Sequence, residues 1–372
     1  MIVVGMDVHV RNSFLHASDQ NGRRLAHGRC ANTSAALAAF CDHVLAVVEG
    51  ELHPVRVVLE STTNSRAMQR LIRQAWQPRA QTVQVDVLDA RKLRIIAESV
   101  SKCDAVDARV LNELARANLA LPTCYMPDDD EFTLRELLRG RSDLVRLRIN
   151  VKNRIHAVLH RRVIAAPPGG LFTQDGLRFL AQLELDEAGR RLIDSYLAVL
   201  DELEKRITAA TRFLREVMRR ERWARPAALL QTMPGIGLMV ALTLLAELGD
   251  WRRFKGRAAV ANYAGLVPVI RDSNSKHYAG GITHRGPSHL RAVLVQAAWV
   301  AIKRVPAYTE LFERVARRRG RQVAIIAVAR RMLEDAFTML RKDEAFRFVP
   351  AVAQRRVGTT ACDPPVASSV AG

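Results

Sequence analysis

The sequence predicts a mixed α/β domain at the N-terminus, then a long helical segment, then a mainly α-helical third unit. Three observations carry this. Short apolar runs alternate with helix-period stretches up to residue 125. From Phe132 to Arg222, Leu, Ile and Val recur at spacings of three and four among many arginines. Beyond Pro226 helical patterns continue around one polar, glycine-containing loop at 267–286. The expected units are therefore 1–125, 126–225 and 226–348. A tail over 349–372, rich in Ala, Val, Pro and Ser and without periodicity, is expected to be disordered.

In order along the chain, strands are predicted over 2–9, 13–17 and 25–30, with Asp19-Gln20-Asn21-Gly22 as the turn between the second and third. A helix over 34–48, a strand over 55–60, a helix over 65–76 and a strand over 82–88 follow. Helices over 90–98 and 104–119 close the first unit. The middle unit reads as helices over 132–163 and 188–222, separated by a Pro- and Gly-containing break at 165–170. That pattern is an antiparallel hairpin or coiled coil with the arginines on the outer faces.

Charge narrows the function. The 372 residues carry 57 Lys and Arg against 38 Asp and Glu, a net charge of +19. Through residue 125 there are 15 basic and 12 acidic side chains, leaving 42 against 26 beyond, so the later two-thirds carries the basic surface. Clustered cations of this kind suit a polyanion such as DNA or RNA, because each phosphate contact releases counterions. No apolar run reaches the roughly 18 residues of a membrane span. The five cysteines (Cys30, Cys41, Cys103, Cys124 and Cys362) have no C-x-x-C spacing and suggest neither a disulfide framework nor a zinc site. A reduced cytoplasmic location and no membrane partner are expected.

Asp7 lies near the end of the first strand and Glu60 ends the fourth, each after an apolar run. Asp104 and Asp107, three apart, share one helix face. Four converging carboxylates repel unless cations intervene, and a Mg²⁺-dependent phosphoryl-transfer site is the natural product. The plainer alternative makes Asp104 a helix cap, Asp107 a first-turn acid and Glu60 a turn cap.

Two further segments carry candidate chemistry. Met233-Pro234-Gly235-Ile236-Gly237 between two helical stretches resembles a helix-hairpin-helix module, in which the amides at Gly235 and Gly237 face a nucleic-acid backbone; a plain helical hairpin is the alternative. Ser273 lies in a loop with Arg271, Lys276, His277 and Arg285, followed by a helix carrying Arg291. These cations would stabilise charge on a phosphate attacked by the serine; an ordinary serine-containing polar loop is the alternative.

Taken together, strand-borne Asp7 and Glu60, Lys102-x-Asp104-x-x-Asp107-Ala108, the helical middle, Pro234-Gly235-Ile236-Gly237, Gly265-Leu266-Val267-Pro268, the Ser273 loop and Arg285-Gly286 resemble the DEDD transposases of the insertion-sequence-one-ten family, related to the pilin-gene invertase. The resemblance covers about residues 1–345. It implies an N-terminal domain like the RuvC (ribonuclease H-like) resolvases, whose tetrad Asp7, Glu60, Asp104 and Asp107 binds Mg²⁺. It also implies a transposase domain whose serine, at Ser273, becomes covalently linked to DNA. The partners it implies are donor and target DNA, a guiding bridge RNA, and further copies of the chain in a dimer or tetramer. Asn274 stands where the family usually has Gly, so Ser275 is the second candidate nucleophile. Two other readings compete: a structure-selective nuclease like the Holliday-junction resolvases, with no covalent step, and a non-catalytic nucleic-acid-binding protein.

Overall fold

The computed structural model describes residues 1–48, 53–90, 92, 103–117, 120–273, 276–283 and 285–347. It divides into two compact units, the first Met1–Met126 and the second from Pro127 onward. The predicted helix over 90–98, Lys102, Asn274, Ser275 and the tail lie largely or wholly outside the described residues.

Unit 1 is built on a five-stranded sheet in the order β3-β2-β1-β4-β5. The strands are β1 (Ile2–Val8), β2 (Asn12–Ser18), β3 (Arg24–Ala31), β4 (Pro54–Glu60) and β5 (Thr82–Leu88). The first three run antiparallel as a meander, while β4 and β5 run parallel to β1. Alternation along the strands sends two sets of side chains to opposite faces. Val4, Met6, Val57, Leu59, Val85 and Val87 face a core completed by helices α1 (Ser34–Ala46) and α2 (Ser65–Trp76), where the Trp76 indole N–H donates to Leu37 O at 2.8 Å. Val3, Val58 and Leu88 face the other way, against Leu111 and Ala115 of α3 (Asp104–Arg116).

Helix α3 sits close to the sheet because β1 has a glycine beneath it. A Cβ on Gly5 would collide with the carbonyl of Ala108 and come within 2.5 Å of the Asn112 backbone nitrogen. Buried Asn112 fastens the helix: its amide donates to Val3 O at 2.7 Å and to His16 O at 3.2 Å, and accepts from Ser18 Oγ at 2.8 Å. Arg56, paired with Asp86 at 2.8 Å, reaches Ala115 O and holds the other end of α3.

Unit 2 begins with α4 (Asp129–His160), whose Asp128 and Glu131 form a reciprocal capping box. It runs antiparallel to α6 (Glu187–Met218), with the short helix α5 (Gln174–Gln182) between them in sequence. Arg141 Nε reaches Thr211 Oγ1 at 2.7 Å, and Arg148 meets Glu204 at 3.2 Å, nearer the tip of the pair. The arginines are therefore not all on outer faces, as the periodicity suggested. Arg135 and Arg139 turn inward toward Glu247, which is 2% exposed, because a carboxylate at that depth requires a cation. The main core gathers α7 (Glu221–Gln231), α8 (Leu238–Leu248), α9 (Arg257–Tyr263), α10 (Ser288–Ala301), α11 (Pro306–Arg319) and α12 (Arg321–Lys342). Ala241 through Leu248 of α8 are all buried within it.

The polar loop predicted at 267–286 is instead largely a two-stranded hairpin, β6 (Pro268–Ser273) and β7 (Lys276–Ile282). Its root is clasped. Gly265 and Gly286 have φ of +67° and +80°, and a Cβ on either would collide with the carbonyl of Arg285 or Tyr263. The Thr283 N–H donates to Val267 O at 3.0 Å. Arg291 Nη1 donates to the carbonyls of Ala264, Arg285 and Gly286 at 2.9–3.1 Å.

Candidate metal and nucleic-acid site

The C-terminal ends of β1 and β4 lie side by side, with Met6 opposite Leu59, so Asp7 and Glu60 each follow the last paired residue of neighbouring parallel strands. By alternation both fall on the face that carries α3. The Gly5 contact brings the first turn of α3 over that edge, and with it Asp104 and Asp107. Cys103, not Asp104, is the N-cap of α3 and makes no side-chain cap, so Asp104 is not a helix cap, while Asp104 and Asp107 both lie in the first turn, as the plainer reading had it for Asp107.

One ligand atom each from Asp7, His9 and Asp104 lies within 4.8 Å of the others. His9 Nε2 is 3.2 Å from Asp7 Oδ2 and 3.5 Å from Asp104 Oδ1, and Arg29 Nη2 is 3.5 Å from Asp104 Oδ2. Burial raises the Asp7 carboxyl above its ordinary range; the charges of Asp104 and Asp107 push it further up, against the pull of His9. Crowded acids with a raised carboxyl are the donor set that a divalent cation relieves, and the residues fit such an ion. Beside them a cavity of about 240 Å³ is lined by His9, Arg11, Asn12, Ser13, Arg29 and Asp104.

Among the other predicted residues, Gly235 has φ +93°, and a Cβ there would come 2.5 Å from Ala297 O, so the Cα of this glycine packs closely against α10. Gly237 is exposed and caps α8. Arg291 spends its guanidinium on the hairpin root, whereas Arg285 is exposed. Ser273 is the last residue of β6, paired in register with Lys276, while Arg271 lies two residues earlier opposite Tyr278. Sequence reasoning missed His9, Arg11 and Arg29. The signal for His9 was its i, i+2 spacing from Asp7; Arg29 gave none, because its partner Asp104 is 75 residues away.

With the acids placed, comparison with known proteins fixes the class. A DEDD-type transposase family model, described as "Transposase", matches residues 4–163, and one described as "Transposase IS116/IS110/IS902 family" matches residues 227–313. Both describe DNA cleavage and transfer enzymes. The chain belongs to the IS110/IS116/IS902 family of transposases. The transposase for insertion sequence element IS1328 of Yersinia enterocolitica is 26% identical over 303 residues, 82% of this chain and 84% of the relative. The y4qE protein of Sinorhizobium fredii is 27% identical over 198 residues, 53% of this chain and 47% of its own length. The pilin gene-inverting protein of Moraxella bovis is 32% identical over 123 residues, 32% of this chain and 38% of its own.

These matches correct the expectation of a serine–DNA covalent intermediate at Ser273 or Ser275. The model covering the acid-bearing unit is a DEDD one, which points to nuclease chemistry on carboxylates, the resolvase-like alternative weighed from the sequence. Such chemistry needs no protein nucleophile, since water or a DNA hydroxyl attacks phosphorus. No described helix is long and apolar enough to cross a membrane.

Proposed function

We propose that unit 1 is the RuvC-like, metal-dependent strand-cleaving centre of this transposase. Asp7, Glu60, Asp104 and Asp107 hold the divalent ion, Mg²⁺ in this reading. The observation that carries it is the meeting of Asp7 and Asp104 across the β1 edge and the first turn of α3. When bound, the ion supplies Lewis acidity toward a phosphodiester and its attacking oxygen. The side chains of Arg11 and Arg29 line the adjacent cavity, where a scissile phosphate would find two guanidinium donors. In unit 2, the exposed Gly237 terminus of α8, Arg285, and the hairpin residues Arg271 and Lys276 serve the DNA backbone. The antiparallel α4–α6 pair serves as a coiled-coil-like contact between copies in a dimer or tetramer. A guide RNA belongs to the same reading as a second polyanion; the +19 charge supports it.

The test is cleavage of DNA carrying the ends of the element by Asp7→Asn and Asp104→Asn. Each is expected to lose at least about 100-fold in rate, the usual scale for removing an electrostatic partner of the reacting group, with an unchanged circular-dichroism spectrum. Wild-type rates in both variants would overturn the proposal.

A further inference from the structure

His9 belongs to none of the four acidic positions, yet its backbone is held by three hydrogen bonds. Its carbonyl accepts from Asn32 Nδ2 at 2.7 Å and from Asn64 Nδ2 at 3.0 Å, and its N–H donates to Asn12 O at 3.3 Å. Both asparagines are themselves oriented. Ser13 Oγ donates to Asn32 Oδ1 at 2.7 Å and Thr62 Oγ1 to Asn64 Oδ1 at 2.7 Å, which leaves each amide nitrogen facing His9. Residues from the start of β2, the β3–α1 turn and the β4–α2 turn thus fix the backbone of one residue. From that position the imidazole reaches between Asp7 and Asp104.

A surface histidine that merely neutralised two acids would not require this bracing. Its distances have a further meaning. Two neighbouring ligands on an octahedral ion with bonds of about 2.1 Å are roughly 3.0 Å apart. The 3.2 Å and 3.5 Å separations from His9 Nε2 to the two carboxylate oxygens are close to such edges. Although 57% of its side chain is exposed, the ring reaches Asp7, whose side chain is 19% exposed.

We propose that His9 Nε2 is an imidazole ligand of the metal held by Asp7 and Asp104, so that the centre is a mixed nitrogen–oxygen site rather than an all-carboxylate one. The inference rests on the metal-site reading above and adds a consequence for metal choice. An imidazole nitrogen adds little for Mg²⁺, more for Mn²⁺, the weakest of the first-row divalent ions in this respect, and most for the later transition ions. His9→Ala is therefore expected to weaken Mn²⁺ binding by about tenfold or more and Mg²⁺ binding by less than about threefold.

The direct experiment is pulsed electron paramagnetic resonance of Mn²⁺ bound to the full-length protein, without nucleic acid, in natural-abundance and ¹⁵N-histidine-labelled forms. A histidine nitrogen coupling that changes with the label and disappears in His9→Ala is the expected result. The labelled wild type reports histidine ligation, and because the chain has ten histidines, His9→Gln is measured beside His9→Ala so that the assignment to His9 survives if one variant folds poorly. Stoichiometric Mn²⁺ with no nitrogen coupling would overturn the role of His9 and leave the acidic site standing. A coupling that persists in folded His9→Ala would assign the nitrogen elsewhere and overturn it as well. Absence of stoichiometric Mn²⁺ binding to the wild type would overturn the metal-site reading itself, and this inference with it.

Discussion

Replacing Gly5 by alanine tests whether the acidic edge proposed to cleave DNA depends on how deeply α3 sits on the sheet. The added Cβ would come 2.5 Å from the Asn112 nitrogen, where ordinary contact begins at 3.4 Å, and it would overlap the Ala108 carbonyl as well. Backbone on both sides leaves no flexible side chain to swing away, so α3 must recede from β1 by about 1 Å. Overpacking of this severity costs about 3 kcal/mol. Part of the loss is the bond from Asn112 to Val3, now 2.7 Å long. That energy corresponds to a Tm lowered by roughly 10 °C. Because the recession carries Asp104 and Asp107 away from Asp7, strand cleavage should fall about 100-fold, the usual scale for a 1 Å misplacement of reacting groups. Differential scanning calorimetry and a gel cleavage assay measure the two effects. Gly140→Ala is the control, since its Cβ would meet nothing within 4 Å; in a helix it should gain up to about 1 kcal/mol. A Gly5→Ala protein with unchanged Tm and cleavage rate would refute the proposed seating of α3.

Asn112→Ala should destabilise unit 1 by about 3 kcal/mol in urea titration, since it strips the Val3 and His16 carbonyls and the Ser18 hydroxyl of a buried partner. Asp128→Ala should cost about 1 kcal/mol at pH 7 through loss of the α4 cap. Burial would raise the Asp128 carboxyl, but hydrogen bonds from Arg222 and the Glu131 N–H outweigh it and hold the group below its ordinary value. Its stabilisation is therefore present above the unfolded pKa and lost as pH falls through the lower folded one. Denaturation curves of wild type and variant should therefore differ near neutral pH and converge once the pH has fallen below the lowered folded value.

Much of unit 1 was legible because its strands alternate and its helices are bounded by recognisable signals. The strand over 82–88 and the helix over 65–76 match the structure residue for residue. Asp7 and Glu60 stood out as acids ending apolar runs. What escaped depends on distance along the chain. His9 is aimed by Asn32 and Asn64, 23 and 55 residues away, and no local pattern announces a backbone brace. Gly5 looked like one more small residue in an apolar strand, since its function is defined by a helix a hundred positions later. The inward turn of Arg135 and Arg139 follows from Glu247, more than 100 residues on. The β6–β7 hairpin was read as a loop because Asp272, Ser273, Lys276 and two adjacent glycines interrupt any apolar stripe. Helix α5 escaped because Gly176 lies in its first turn, where a Cβ would be 2.5 Å from the Leu171 backbone.

The clasp at the root of that hairpin has an evolutionary consequence. Arg291, Gly265 and Gly286 fix where both strands leave the helical core, so the length of the arm is decoupled from the packing beneath it. Inserting one residue in each strand extends the arm by about 3.3 Å and preserves pairing around the clasp. A single insertion in one strand instead turns every later side chain of that strand to the opposite face, unless a bulge absorbs it. Relatives should therefore vary this arm in matched pairs of residues while keeping its root, making reach a property that can drift without disturbing the fold.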